Sequence, residues 1–498
     1  MRKAFTAIAV VLVVLMSASF VAAQGTYPHP GTSVTNVVAM NLATGTGEDA
    51  GVVVEYYDTG GQLDYLHENI VIPPLGVQEI KTQDEPLGDA WQGSAVMQSD
   101  QPLGVIVSIK NTAVSGDSDG MTQGAYNGTV APANTLYFPS LYGFQYIVSR
   151  ITVQNTEDTP ADIEMAYYNR DGDYLGMQPA TLPAFSQRTF YLGDADDVPY
   201  DPATFVDGSA IVTSDHLLAG AAVTTWGDRS AAYQALTPAN RDFTLYAPSH
   251  YRYMVTPASG QWTLFSALNL MNTSETETAN VTATYVSRAT GEVALVKEFT
   301  IDRLSAVGLN TKNGGDFPAS DFAALSYAGG GIADWDGSVQ IESDQELVGV
   351  CNTGWDTARY NGAYELVSLG SASNELFFPA QYRLDWGTGW AQWSAVNLMN
   401  VGGSTILAED LVVEYLDPAG NTVLTLTGTD LPFDLASGGA LGLNTRNGGD
   451  LEASAFTPMG FSYQGGVHVT APEGSQLIGV ANIVYPNRSS VYNAIQKP

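Results

Sequence analysis

Short runs of alternating apolar and polar residues, separated by glycine-containing turns, recur along the whole chain. In the first quarter such runs cover residues 52–57, 70–72, 94–97 and 104–109. Alternation with a period of two residues is typical of strands that bury one face. Beyond residue 23 no helical period is sustained, and only 195–197 and 318–322 could form single helical turns. The pattern therefore predicts an all-β protein.

The same order of segments occurs four times. A strand beginning with glycine starts at Gly93, Gly208, Gly337 and, more loosely, Gly465. Upstream of this strand each copy has a tyrosine followed by a turn glycine. The four pairs are Tyr56 with Gly61, Tyr167 with Gly172, Tyr285 with Gly291, and Tyr415 with Gly420. Each tyrosine follows an asparagine: Asn41, Asn155, Asn272 and Asn400. The last two copies also share a heptapeptide, 310–316 and 444–450. Such repetition indicates duplication of one module.

Removing 23 residues from 498 leaves 475, or nearly 120 for each of four copies. That size suits one β-sandwich with its own core. We predict modules at residues 24–134, 135–243, 244–374 and 375–498, with the four repeated tyrosines in equivalent strands. An aromatic-x-Pro segment stands at each internal junction, at 137–139, 246–248 and 377–379, without a flexible linker. The copies are therefore expected to form a stiff linear array.

The N-terminus predicts a secretory signal peptide, residues 1–23. Arg2 and Lys3 precede an apolar stretch from 4 to 16, and small residues lead to Gln24. A retained anchor is the weaker alternative, because this stretch is shorter than the roughly 20 residues of a spanning helix. The mature chain has no later apolar run of that length. We therefore expect a secreted, extracellular or cell-surface protein without an integral membrane segment.

The charge balance excludes several partners. Nineteen basic residues against 52 acidic ones give a net charge of −33, which disfavours nucleic acid and anionic membranes. Acidic turns such as 117–119, 171–173, 194–197 and 334–336 leave two interpretations open, solvated carboxylates or calcium ligands, although none matches the twelve-residue calcium loop. We assign no metal-ligating residue.

Catalytic chemistry is not indicated. The five histidines occupy unrelated repeat positions, and no hydrolase, metalloprotease, phosphate-loop or dinucleotide motif is present. Ser214, Asp215 and His216 are adjacent and contain the residue types of a catalytic triad. Adjacent residues of a strand point to opposite faces, however, so these side chains are not expected to converge on one site. The single cysteine, Cys351, is expected as a buried apolar side chain, with an interchain disulfide or a reactive thiol as alternatives. We predict no catalytic residue, no cofactor and no enzyme.

Aromatic residues suggest sugar binding. Trp386, Trp390 and Trp393 cluster in the fourth module, and a flat indole face beside polar groups can stack on a pyranose ring. A core or interface role is the alternative for these tryptophans. Glycosylation sequons start at Asn127, Asn272, Asn280 and Asn487.

The order of asparagine strand, Tyr-containing hairpin, Gly-Ser strand, Ser-Asp turn and apolar strand resembles immunoglobulin-like repeat modules of large exported bacterial proteins. The resemblance implies a surface location without an activity. We therefore expect a structural subunit of an extracellular filament, sheath or surface layer that self-associates. A glycan-binding adhesin using modules three and four is the alternative. Residues 26–30 are expected to join subunits by adding a strand to module four, unless they are simply the first strand of module one or a disordered terminus.

Overall fold

The computed structural model describes residues 8–12, 33–45, 47–88, 91–111, 122–144, 147–226, 229–254, 262–288, 290–356, 360–387, 389–486 and 488–497. Within these ranges the chain is nearly all β-structure, which confirms the predicted class. Helical segments there are short 3₁₀ turns at Thr82–Asp84, Pro238–Asn240, Ala319–Phe322, Leu369–Ser371, Gly428–Asp430 and Ala453–Met459. Residues 195–197 form a turn that is not helical. None of the described helices is long and apolar enough to cross a membrane.

The first repeat unit is a sandwich of two antiparallel sheets. Its strands are β1 (Ile8–Leu12), β2 (Ser33–Asn41), β3 (Ala50–Asp58), β4 (Leu63–Ile72), β5 (Val77–Lys81), β6 (Gly93–Ser99), β7 (Leu103–Asn111) and β8 (Thr122–Asn127). One sheet has the order β1-β6-β3-β4 and the other β5-β2-β7-β8. Alternate side chains such as Val54, Met97 and Val107 fill the space between them.

The second and third units repeat this order. The second contains β9 (Ala133–Phe144), β10 (Ile147–Asn155), β11 (Ala161–Asn169), β12 (Tyr174–Leu182), β13 (Gln187–Tyr191), β14 (Asp207–Trp226) and β15 (Arg229–Gln234). The third contains β16 (Asp242–Met254), β17 (Trp262–Asn272), β18 (Ala279–Ser287), β19 (Val293–Ile301), β20 (Ala306–Asn310), β21 (Gly314–Gly315), β22 (Asp334–Trp355), β23 (Tyr360–Glu365) and β24 (Val367–Ser368). In both, one long bent strand, β14 or β22, passes from one sheet to the other, so the two sheets curl into one.

The fourth unit keeps the two halves of that long strand separate. Its strands are β25 (Glu375–Asp385), β26 (Trp390–Asn400), β27 (Val412–Leu416), β28 (Thr422–Leu426), β29 (Ala440–Asn444), β30 (Gly448–Gly449), β31 (Ser462–Thr470), β32 (Leu477–Tyr485), β33 (Arg488–Asn493) and β34 (Ile495–Gln496). Strands β31 and β32 take the places of the two halves of β22.

The four repeated tyrosines occupy equivalent positions, as predicted. Each lies on the first strand of a hairpin and pairs with the Gly-Ser strand, Tyr56 with Ala95 and Tyr167 with Ala210, for example. Tyr285 pairs with Val339 and Tyr415 with Val467 in the same way. All four side chains are fully buried, so the repeated residue is a core position.

The aromatic-x-Pro segments open units rather than close them. They lie in β9, β16 and β25, the first strands of units two to four, and the ladder shifts register beside each proline. Proline has no N–H to donate, which explains the local irregularity. In each of these units a tyrosine from β15, β23 or β33 then donates its hydroxyl to the backbone carbonyl of the residue after the proline. The pairs are Tyr233 to Ser140 at 3.0 Å, Tyr364 to Ser249 at 2.5 Å and Tyr492 to Ala380 at 2.9 Å.

The four units form a closed ring, so the predicted linear array is wrong. Strand β8 packs against β15, β15 against β23, β23 against β33, and β33 returns to β8. Small residues permit this approach: a Cβ on Gly124 would lie 2.7 Å from the Cβ of Ala232, and one on Gly362 would lie 2.3 Å from Val491. The fourth unit also shares its core with Met40 and Val77 of the first. Central burial of all four strands is what bends the array into a ring.

Unit one receives its first strand from within the predicted signal peptide. Strand β1 pairs with β6 in the register that β9 uses against β14: Leu12 faces Ala95 as Phe138 faces Ala210. Residues 26–30 lie outside the described residues. In unit four, β25 already carries the aromatic-x-Pro segment and also pairs with β34. The strand position lacking an aromatic-x-Pro segment is thus in unit one. The premise that module four lacks this segment is wrong, and strand addition between subunits stays a prediction.

Candidate functional site

An arginine links the second unit to the third. Arg170 follows the hairpin strand β11, and its guanidinium contacts Asp207 at 2.9 Å in its own unit. Across the interface it donates to Asn269 Oδ1 at 3.3 Å and lies 3.7 Å from Asp316. Gly308 leaves room for it, because a Cβ there would lie 3.1 Å from the guanidinium.

The same arrangement links the third unit to the fourth. Arg288 pairs with Asp336 in its own unit and reaches Asp450 at 3.4 Å and Asn397 at 3.4 Å in the next. The duplicated heptapeptide explains this recurrence. Its final aspartate, Asp316 or Asp450, accepts a backbone N–H at 2.6 Å and faces the arriving arginine. The heptapeptide is therefore the receptor for the preceding unit's arginine.

Above Arg288 the third and fourth units enclose a cleft of about 780 Å³. Aromatic side chains from both units line it: Tyr251, Tyr253, Trp355, Trp390 and Trp393. Their polar neighbours are Arg288, Asp336, Asn397, Asn444, Arg446, Asn447 and Asn482. We call this the tryptophan cleft. Its volume lies within the range of about 300–1,000 Å³ usual for small-molecule sites.

The structure separates the three clustered tryptophans. Trp390 and Trp393 lie in β26 and line the tryptophan cleft, whereas Trp386 is 75% exposed and is not among its lining residues. Trp355 joins them from the end of β22, a residue that the sequence analysis missed. Trp226 stands at the equivalent end of β14, and this recurrence is the signal that could have indicated Trp355.

Polar groups in the tryptophan cleft are oriented by their own hydrogen bonds. The Tyr253 hydroxyl donates to Asp336 Oδ1 at 3.1 Å, and burial raises the pKa of this tyrosine to about 12. It is therefore a neutral donor at ordinary pH. Asn397, only 4% exposed, uses its Oδ1 to accept from Arg288, while its Nδ2 has no hydrogen-bond partner in the part of the chain that the structure describes. A buried donor of this kind gains from a ligand acceptor.

The structure does not assemble the serine, aspartate and histidine considered above into a triad. Ser214 donates its hydroxyl to the carbonyl of Asp162 at 2.9 Å rather than to an imidazole. The His216 ring bonds its neighbour Asp215 at 2.7 Å on the surface. This hydrogen bond raises the pKa of His216 and lowers that of Asp215. The segment is a partly exposed stretch of β14 without an activated nucleophile.

Cys351 is buried in β22, as predicted. Burial raises the pKa of its thiol to about 12, so the nucleophilic thiolate is not favoured. Nδ1 of His250 lies 3.8 Å from its sulfur, and burial lowers the pKa of this histidine to about 3. Full burial leaves no access for an interchain disulfide.

Carboxylates of the acidic turns bond the backbone around them. Asp334 accepts from the backbone N–H groups of Tyr327 and Ala328 at 2.8 and 2.9 Å, and Asp194 accepts from Asp196 at 3.0 Å. Residues 117–119 lie outside the described residues. Among described residues no three candidate ligands group as a metal site. Calcium binding stays a hypothesis without assigned ligands.

The repeated asparagines fix the loops after the second strand of each unit. Asn41 donates to the carbonyls of Glu48 and Ile72 at 2.9 and 3.0 Å and accepts from Ala43. Asn155, Asn272 and Asn400 make the same set of bonds. Asn272 is fully buried, so its sequon cannot accept a glycan in the folded chain. Asn280 is exposed, and Asn487 lies outside the described residues.

Comparisons with known proteins assign no family. No family model and no curated protein match the chain. Among solved structures, the Anabaena sensory rhodopsin transducer is 18% identical over 18% of this chain and 94% of its own, with a TM-score of 0.16. The structure of Thermotoga maritima 1070 is 14% identical over 21% of this chain and 94% of its own, with a TM-score of 0.18. Latent PorU from Porphyromonas gingivalis is 10% identical over 78% of this chain and 31% of its own, at 0.14. Likenesses at these scores indicate no function.

Proposed function

We propose that the protein is a non-catalytic carbohydrate-binding protein whose ligand occupies the tryptophan cleft. One observation carries this proposal: indole and phenol rings from two units converge in one cleft with the amide donor of Asn397, which is unpaired among the described residues. Sugar rings present apolar C–H faces and a rim of hydroxyls. Aromatic rings can stack on the C–H faces, and amide, phenol and guanidinium groups can form hydrogen bonds with the hydroxyls.

The surrounding contacts favour a preorganised site. Arg383 lies over the Trp390 ring at 5.3 Å from its centroid, and Phe461 meets the same ring edge-on at 6.0 Å. Arg288 holds the two walls together through Asp336 and Asp450. A ligand therefore binds without ordering these side chains, which reduces the entropic cost of association.

Replacing Trp390 with alanine is expected to weaken saccharide binding about tenfold or more, because a stacking face is lost. The matched control is Trp386→Ala, which removes an exposed tryptophan of the same segment outside the cleft and should leave binding unchanged. Both variants are compared with the parent chain on a glycan array, then by calorimetry with a retained saccharide. Melting curves show that each variant is folded. Failure of the parent chain to retain any saccharide refutes the proposal, as does a loss confined to Trp386→Ala.

We also propose that the chain is exported, with residues 1–23 removed, and that its sandwiches belong to the immunoglobulin-like class. The two-sheet antiparallel architecture supports the class, and the N-terminal charge and apolar pattern supports export. A binding protein on the cell surface fits the adhesin interpretation of the same cleft.

A role in surface assembly is the second candidate, and the β1 position favours it. Removal of residues 1–23 would take β1 away and leave the β6 edge open, and an open strand edge is a template for a strand from another chain. The other repeated interfaces of the four units are contacts between units of the same chain. We propose that residues 24–30 of a second copy add to β6.

Chains starting at Gln24 are then expected to form oligomers, and chains starting at Gly31 to remain single, because only the former carry the donor segment. Sedimentation velocity at several concentrations measures this difference. Oligomers from both chains, or from neither, would contradict strand addition by this segment.

A further inference from the structure

Two equivalent interfaces of the ring differ in one ion pair. At the interface between units two and three, Lys312 of the heptapeptide lies over the Phe265 ring and pairs with Asp356. Asp356 also binds Arg229 at 3.0 Å. Both cationic side chains of this interface, Lys312 and Arg229, therefore have a carboxylate partner within the protein.

The tryptophan cleft has the cation but not the acid. Arg446 replaces Lys312, and its guanidinium lies 4.5 Å from the centroid of Trp393, which replaces Phe265. Pro486 stands where Asp356 stands in the third unit. Among the described residues, no carboxylate forms an ion pair with Arg446, whereas Arg288 below it is balanced by Asp336 and Asp450. The surplus positive charge of the cleft is thus carried by Arg446.

A second observation points to a ligand acceptor in the same cleft. The Nδ2 donor of Asn397 is buried and has no partner among the described residues, although its Oδ1 is fixed by Arg288. Its counterpart Asn269 has the same unpaired Nδ2 at the interface between units two and three, so what distinguishes the tryptophan cleft is the combination of this donor with Arg446. An exposed guanidinium and a buried amide donor line the same cleft. A guanidinium fork matches the two oxygens of a carboxylate, and hydrogen bonds to charged groups are stronger than neutral ones.

We propose that the saccharide bound in the tryptophan cleft carries a carboxylate, which Arg446 recognises. This inference rests on the proposed carbohydrate-binding function and names the ligand class, an acidic sugar such as a uronic acid. The net charge of −33 opposes an anionic ligand at long range, but charges are screened beyond about 8 Å at physiological ionic strength. Within the cleft the nearby guanidinium decides the preference.

The test compares oligogalacturonate with its fully methyl-esterified form, because esterification removes the charge and retains the rings. Calorimetry with the parent chain is expected to show about tenfold tighter binding of the acid than of the ester. The measurement is made at about 0.15 M salt, where charges further than about 8 Å from the ligand are screened. Arg446→Gln should abolish this preference, and Arg446→Lys should retain part of it. Lys312→Gln, the equivalent change in the other interface, should leave the preference intact.

The outcomes separate this inference from the function on which it rests. Equal binding of acid and ester, or a preference that survives in Arg446→Gln, overturns the role of Arg446 while leaving carbohydrate binding in place. Binding of neutral saccharides alone on the array overturns the acidic ligand class. No saccharide binding of any kind overturns both proposals.

Discussion

Gly208→Ala is expected to lower the free energy of unfolding by about 3 kcal/mol, the upper end of the cost of overpacking. A Cβ on this residue would lie 2.1 Å from the carbonyl oxygen of Tyr168, so the hairpin strand would have to move. The other three repeats share the constraint: Cβ atoms on Gly93, Gly337 and Gly465 would lie 1.9, 2.0 and 1.8 Å from a carbonyl of the neighbouring strand. This close approach explains why the repeated strand begins with glycine.

The matched control is Gly403→Ala. Gly403 is exposed, and a Cβ there would meet nothing within 4 Å. Urea unfolding followed by tryptophan fluorescence and by circular dichroism should therefore show a lower midpoint for Gly208→Ala only. Equal midpoints for the two variants would refute the proposed role of the glycine.

Glu365→Gln is expected to stabilise the protein at pH 8 but not at pH 4. Glu365 ends β23 at the centre of the ring, where it accepts from the backbone N–H of Gln234 at 2.6 Å. It is the only titratable side chain among the described residues that line a cavity of about 270 Å³. Burial raises its pKa from 4.5 to about 7.

The sign of the pH dependence follows from this shift. Between pH 4.5 and 7 the folded state holds a proton that the unfolded state has released, so stability falls as pH rises through this window. Glutamine keeps the acceptor oxygen without the charge. The rise of the Glu365 pKa from 4.5 to about 7 corresponds to about 3 kcal/mol of unfolding free energy, which the variant should regain above pH 7.

Denaturation at pH 4, 6 and 8 measures the effect, with Glu473→Gln as the control because Glu473 is exposed. The difference between Glu365→Gln and the parent chain should grow with pH, whereas the control should show little change at any pH. A constant difference across the three pH values would contradict a buried, protonated glutamate.

The four interfaces of the ring have diverged although the units share one topology. Between units one and two, Tyr57 stacks on Phe185 at 4.9 Å, where the next two interfaces use Arg170 and Arg288. Between units four and one, the backbone N–H of Val77 donates to the carbonyl of Pro418 at 3.0 Å. Duplication followed by divergence thus gives each interface its own set of contacts on one shared topology.

The amino-acid sequence by itself determined the β-class, the fourfold repetition and the equivalent strand positions of the four tyrosines. These features depend on local periodicity, and Tyr56 or Asn41 must serve the same purpose in every copy because each copy closes the same core. The heptapeptide and two cleft tryptophans, Trp390 and Trp393, were also visible as patterns. Sugar binding was a hypothesis for the tryptophans from sequence, but the cleft they line and the role of the heptapeptide were not visible, because neither the receptor for Arg288 nor a cleft exists within one unit.

Only the tertiary structure decided how the units are arranged. A linear array and a closed ring need the same strands, and the difference lies in contacts between residues far apart in the chain, such as Gly124 with Ala232 and Gly362 with Val491. Ring closure brings Trp355 to Trp390 and Trp393 and buries Glu365. Long-range packing creates these neighbourhoods, and strand periodicity contains no information about them.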